Sequence, residues 1–92
     1  MKVSEVIKGF VKGREGNSTN VNARWDVDGL ALYSYNVCVA FWLKGVIYLT
    51  TEKYTATTSS HCNKVKEFAR IDNIRLDSFD PPHVRRRYIG RR

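Results

Sequence analysis

Residues 30–63 read LALYSYNVCVAFWLKGVIYLTTEKYTATTSSHCN, and the fold turns on how this stretch is divided. Three short apolar and aromatic runs follow one another, each bounded by residues that suit tight turns. Leu30–Tyr35 alternates, with Leu30 and Leu32 opposed to Ala31, Tyr33 and Tyr35, the period-two pattern of a strand. Asn36 suits a left-handed turn position. Val37–Leu43 is apolar on both faces, which predicts a central strand or one covered on both sides. Lys44-Gly45 is a second tight turn, and Val46–Thr50 a further strand. Thr51–Thr57 reads as a fifth short strand or as an extended approach to a helix. Thr57, Thr58, Ser59 and Ser60 are helix-start residues, because a hydroxyl accepts from the free N–H groups of a first turn. Cys62, Val65 and Ala69, with Phe68 beside them, then mark the apolar stripe of a helix running to Arg70.

Upstream, Val3, Val6, Ile7, Phe10 and Val11 form one helical stripe, and Lys2, Glu5, Lys8 and Lys12 fall off it. The helix lacks the strongly basic face of a membrane-surface helix, so core packing is expected. Gly13 and Gly16 supply a stop and a loop. From Thr19 to Val27, odd positions are mainly apolar and Asn20, Asn22, Arg24 and Asp26 fall between them, a half-buried strand that Asp28-Gly29 turns into the next. The expected fold is α+β: an antiparallel sheet of four to five short strands, an N-terminal helix, a second helix after the sheet, and a basic C-terminal tail. The compact domain is expected over residues 1–70, and residues 71–92 as an extended charged tail, stiffened at Pro81-Pro82.

The chain of 92 residues is one domain's worth and carries a formal charge of +7. Five of its arginines, Arg85, Arg86, Arg87, Arg91 and Arg92, sit in the last eight residues; without those eight the chain has 11 basic and 9 acidic residues, a net +2. The basic character therefore belongs mainly to the tail. No apolar run approaches the roughly 20 residues of a membrane-spanning helix. The N-terminal residues show no secretory pattern, so Cys38 and Cys62 are expected as free thiols of a reducing compartment.

Signals for chemistry are sparse. His61 and Cys62 are adjacent, and His83 and Cys38 isolated, so neither count nor spacing matches a metal site. Cys62 with His83 makes a poor nucleophile–base pair, since Cys62 falls on an apolar stripe. No phosphate-binding glycine pattern is present. Neither enzymatic activity nor a cofactor is expected, and no small-molecule substrate. The arginine run has a direction: guanidinium groups fork onto phosphates and carboxylates, and Tyr88 within the run can stack on a base. The plain alternative is a solubilising tail. Candidate contacts to nucleic acid or an acidic partner are Arg85, Arg86, Arg87, Tyr88, Arg91 and Arg92. Arg24 is a further candidate, on a strand face with Asn20 and Asn22 and with Tyr33 and Tyr35 near it.

Leu32, Ser34, Tyr35, Val39, Ala40 and then Tyr54, Thr55, Thr57, Thr58, Ser59 and His61, followed by Asn63, resemble the motifs of a small uncharacterised domain of tailed phages. The resemblance covers residues 3–70; Cys62 departs from the polar residue usual beside that histidine, and the tail has no counterpart. It implies phage origin and a compact α+β fold, without a catalytic residue. Size and basic tail also resemble anti-CRISPR proteins, in particular inhibitors of type I-F complexes. That likeness implies an inhibitor in the host cytoplasm that binds a multi-subunit RNA-guided, Cascade-type complex. It would contact protein and guide-RNA phosphates and block target-DNA hybridisation. A stand-alone DNA- or RNA-binding protein is the alternative.

Overall fold

The computed structural model describes residues 2–26, 29–35, 37–51 and 55–79. The elements are α1 (Val3–Val11), β1 (Gly16–Asn17), β2 (Val21–Asp26), β3 (Gly29–Ser34), β4 (Val37–Leu43), β5 (Val46–Thr50), α2 (Ala56–Ile71) and β6 (Leu76–Phe79). The fold is α+β, with one mixed sheet in the order β1-β2-β3-β4-β5-β6. Strands β1 to β5 are an antiparallel meander, and β6 returns parallel to β5 after the α2 crossover.

The sheet thus has six strands where the sequence pattern gives four or five. β1 is two residues long, too short for any periodicity to show. β6, LDSF, holds only two apolar residues and lies in the stretch expected to extend as a charged tail. Backbone pairing holds it: Ile47 N–H donates to the Arg75 carbonyl at 3.0 Å and Thr51 N–H to the Phe79 carbonyl at 3.0 Å.

α1 forms over the expected stripe. Val6, Ile7, Phe10 and Val11 are buried, and the Glu5 carboxylate accepts from Lys2 N–H at 2.9 Å across the first turn. Gly9 costs the helix about 1 kcal/mol relative to alanine. Burying each large apolar side chain returns roughly 1.5–3 kcal/mol, so packing decides the outcome. α2 begins earlier than expected. Its N-cap is Thr55, whose hydroxyl accepts from Thr58 N–H at 3.1 Å. Tyr35 has a φ of 51° just before Asn36, which lies outside the described residues along with Asp28 and Tyr54.

Both helices lie on one face of the sheet. Their core gathers Val6, Ile7, Phe10 and Val11 of α1, Val65 and Ala69 of α2, and Val21, Leu30, Leu32, Val39 and Ile47 of the strands. The Trp42 indole N–H donates to the Phe10 carbonyl at 2.7 Å, near the open end of α1. A bulge in β4 adjusts the packing. Leu32 pairs with Ala40 and Tyr33 with Cys38, leaving Val39 as the extra residue. Val39 and Ala40 therefore both join the helix-side core, and Phe41 moves to the opposite face. That opposite face is aromatic: Phe41 stacks on Tyr48 with ring centres 5.3 Å apart and meets Phe79 at 5.0 Å.

The β4–β5 turn makes a test of this backbone. Lys44 and Gly45 have φ of 51° and 80°, and Leu43 pairs with Val46, the left-handed pair of a two-residue hairpin loop. Lys44→Asn is expected to raise the unfolding free energy measured by urea titration, by up to about 1 kcal/mol, because asparagine tolerates that region better. Gly45→Val is expected to lower it by more than about 1 kcal/mol, through strain at a bulky residue with positive φ.

Candidate functional site

The Thr/Ser-rich start of α2 faces inward. Thr58, His61, Val65 and Ala69 lie on its buried side. The i, i+3, i+7, i+11 spacing puts two polar residues in line with the apolar stripe. Ser34, at the end of β3, meets them from the sheet. Its hydroxyl lies 2.8 Å from His61 Nδ1 and 3.1 Å from Thr58 Oγ1, and the Thr55 hydroxyl donates to Thr58 Oγ1 at 3.2 Å. Ser34 is 1% exposed and His61 4%.

Each hydroxyl has one proton to give. Thr55 gives its proton to Thr58 Oγ1; in the Thr58–Ser34 pair either hydroxyl can donate, and the Ser34–His61 roles follow the imidazole tautomer. Burial pushes the His61 pKa below its ordinary value, and the nearby Lys64 adds to this.

The pair has the atoms of a serine–histidine dyad but not its placement. A working nucleophile needs open space for a carbonyl and donors for an oxyanion. Ser34 is closed over by α2, and its partners are a histidine and a threonine. The arrangement satisfies buried polar groups and pins the first turns of α2 to β3. Sequence reading missed this cluster because it counted Cys62, not His61, on the buried stripe. The signal was available: His61 lies three residues after Thr58 and four before Val65.

Cys62 instead borders a groove of about 750 Å³ between α2 and the β5–β6 edge, lined also by Leu49, Ser59, Asn63, Lys66 and Leu76. Burial raises its thiol pKa, and Lys66 only partly offsets this, so the thiol is not an activated nucleophile. Cys38 and Cys62 are both free. Among the described residues no three His, Cys, Asp or Glu side chains gather to hold a metal, and no helix is long and apolar enough to cross a membrane.

Of the expected contact residues, Arg24 is exposed on β2, with its guanidinium 4.1 Å from the centre of the Tyr33 ring. Pairing of Asn22 with Tyr33 and of Arg24 with Ala31 sets these side chains on the face away from the helices. Tyr35 lies past the end of β3 and is half exposed. Arg85, Arg86, Arg87, Tyr88, Arg91 and Arg92 fall outside the described residues. A second aromatic spot lies at the far ends of both helices. Trp25, 59% exposed, joins Trp42 and Arg14 around a hollow of about 620 Å³, beside the 3.3 Å Lys12–Asp72 ion pair.

Compared with known families, residues 6–80 match a family of unknown function, DUF8033. The chain belongs to DUF8033. The match begins within α1 and ends one residue beyond β6, so the DUF8033 unit includes the whole sheet and runs further than the 3–70 covered by the motif resemblance. The arginine-rich end lies beyond it. No curated protein and no solved structure matches the chain.

The neutral His61 makes stability depend on pH. Its folded pKa lies below the unfolded value of 6.5, so the unfolded chain takes up the proton first as pH falls. The His61 contribution is complete above about pH 6.5 and is lost as pH falls from there toward the folded pKa. Urea midpoints of wild type are expected to drop between pH 7.5 and 5.5, and those of His61→Phe to drop less. Ser34→Ala, which leaves Thr58 and His61 short of a partner, is expected to cost about 1–3 kcal/mol at pH 7.5.

Proposed function

We propose that this protein is a non-enzymatic binding protein for an anionic macromolecular partner, with nucleic-acid phosphates as the groups it contacts. The observation that carries this reading is Arg24 lying over Tyr33 on the sheet face that neither helix covers. Stacked on a ring, a guanidinium keeps its N–H edge for a phosphate while its flat face is already held. Lys12–Asp72 is the one ion pair among the described residues, so Arg14, Arg24, Lys44, Lys66, Arg70 and Arg75 have no acidic partner there. The arginines from Arg85 to Arg92 add five further cations. The buried position of the Ser34–His61 pair supports a binding role over a catalytic one.

In its finer form, the proposal is a phage-encoded anti-CRISPR protein acting in the host cytoplasm. It docks on a Cascade-type complex, meets protein and guide-RNA phosphates through its arginines, and prevents target-DNA hybridisation. Small size, basic tail and the phage-like motif support this form. A stand-alone DNA- or RNA-binding protein shares the same surface chemistry and differs in binding free nucleic acid.

Fluorescence anisotropy with labelled single-stranded RNA and DNA separates the two. A stand-alone binder shows measurable affinity at low salt, weakening steeply as salt rises. Arg24→Ala is then expected to lower the salt slope by about 1, as for one lost phosphate contact. An inhibitor instead shows little affinity for free strands and abolishes target-DNA binding by the purified surveillance complex. Unchanged target binding at saturating protein would end the inhibitor reading. No binding in either assay would end the proposal for nucleic-acid phosphates.

A further inference from the structure

Both helices end at one hollow, and each ends in the same way. α1 closes on Gly13, at φ 81°, with Gly13 N–H donating to the Phe10 carbonyl at 2.9 Å and Arg14 N–H to the Gly9 carbonyl at 2.8 Å. α2 closes on Asn73, at φ 57°, with Asn73 N–H donating to the Arg70 carbonyl at 3.1 Å and Ile74 N–H to the Ala69 carbonyl at 2.8 Å. Such paired bonds satisfy the last carbonyls of a helix and fix the residues that follow it. Those residues, Arg14 and Ile74, line the hollow of about 620 Å³ together with Trp25 and Trp42.

Trp25 is fixed as well. Its N–H donates to the Glu15 carboxylate at 3.0 Å and it pairs with Leu30 of β3, yet it is 59% exposed. An indole left in water on a rigid backbone contributes little to the core and offers a flat face to a ligand. Cations stand on either side of it. Asp72 is bonded to Lys12 and Glu15 accepts from Trp25, so Arg14 pairs with neither. Arg24 precedes Trp25 on β2, and β1 pairs only with Asn22 and Ala23, so among the described residues no strand flanks β2 beyond Ala23. Glu15 and Arg24 also line a polar recess of about 570 Å³ with Asn17 and Asn22.

A ligand matched to this edge carries a flat aromatic face with negative charge beside it. An aromatic side chain of a protein brings the ring without the charge. A duplex brings the charge and keeps its base faces stacked, whereas an unpaired strand brings both. We propose that the hollow takes one unstacked nucleobase of a single-stranded nucleic acid, stacked on the Trp25 ring with an adjoining phosphate on Arg14. The strand then crosses the open edge of β2 toward Arg24, where Asn17 and Asn22 supply amide groups. This assignment rests on the reading of the protein as a binder of nucleic-acid phosphates, and adds a base to it.

Titration of the full-length protein at low salt tests this, with a short oligothymidylate and with an abasic strand of the same length that keeps the phosphates. The oligothymidylate is expected to quench tryptophan fluorescence and the abasic strand is not. The quenching is expected to vanish in Trp25→Phe, where Trp42 alone emits. Trp25→Ala, checked for folding by circular dichroism, is expected to weaken binding about 5- to 150-fold, the loss of one stacked base, with the salt slope unchanged. Arg14→Ala is expected to lower that slope by about 1. Binding whose salt slope falls in Arg24→Ala but whose strength is untouched by Trp25→Ala would overturn the stacking site and leave the phosphate reading standing. No binding to either strand would also overturn it, and inhibition of the surveillance complex would then decide that reading separately. A wild-type dimer that Trp25→Ala dissociates would assign the hollow to a second copy of the chain and overturn the proposal.

Discussion

The buried hydrogen bond between the Ser34 hydroxyl and the imidazole of His61 fixes how the two layers of this protein meet. An amphipathic helix can slide or rotate on a sheet at modest cost when only apolar surfaces touch, since hydrophobic burial has no direction. A buried hydrogen bond has direction, and an unpaired one costs about 1–3 kcal/mol. By joining Thr55, Thr58 and His61 of α2 to the end of β3, the network sets the rotation and register of the helix. Val65 and Ala69, one and two turns further on, then fall against the strands and α1.

From that placement the two sides of the sheet take separate roles. The helix side holds the main core and the polar fastening, with no opening for a substrate at Ser34. The other side holds rings and Arg24. The β4 bulge at Val39 is what makes this division possible. Without the extra residue, strict alternation along β4 would put Ala40 and Phe41 on the opposite sides from those they occupy. Trp42, which reaches back to the Phe10 carbonyl, would be turned away from α1.

Much of the fold is legible in the residues. The stripe Val3, Val6, Ile7, Phe10, Val11, the two-sided apolar run Val37–Leu43 and the turn at Lys44-Gly45 each state their structure locally. What escapes is whatever depends on distant partners. Leu76–Phe79 is a strand because β5 presents free backbone groups to it, and nothing in LDSF announces that. His61 is buried because Ser34, 27 residues earlier, can accept its company. The Thr/Ser cluster signals a helix start, but its inward hydroxyls are read only when the facing strand is known. The candidate contacts divide likewise: Arg24 and its strand face follow from period-two alternation, whereas its seat on Tyr33 is set by the β2–β3 register.

The claim on which the rest depends is that His61 is a buried, neutral imidazole bonded to the Ser34 hydroxyl. Long-range ¹⁵N–¹H correlation spectra of the His61 side chain, followed from pH 8 to pH 5, report it directly. The account predicts a neutral imidazole, with a single ring nitrogen protonated, persisting below the pH at which an exposed histidine such as one in a model peptide becomes charged. An imidazolium formed at or above the ordinary histidine value would contradict it.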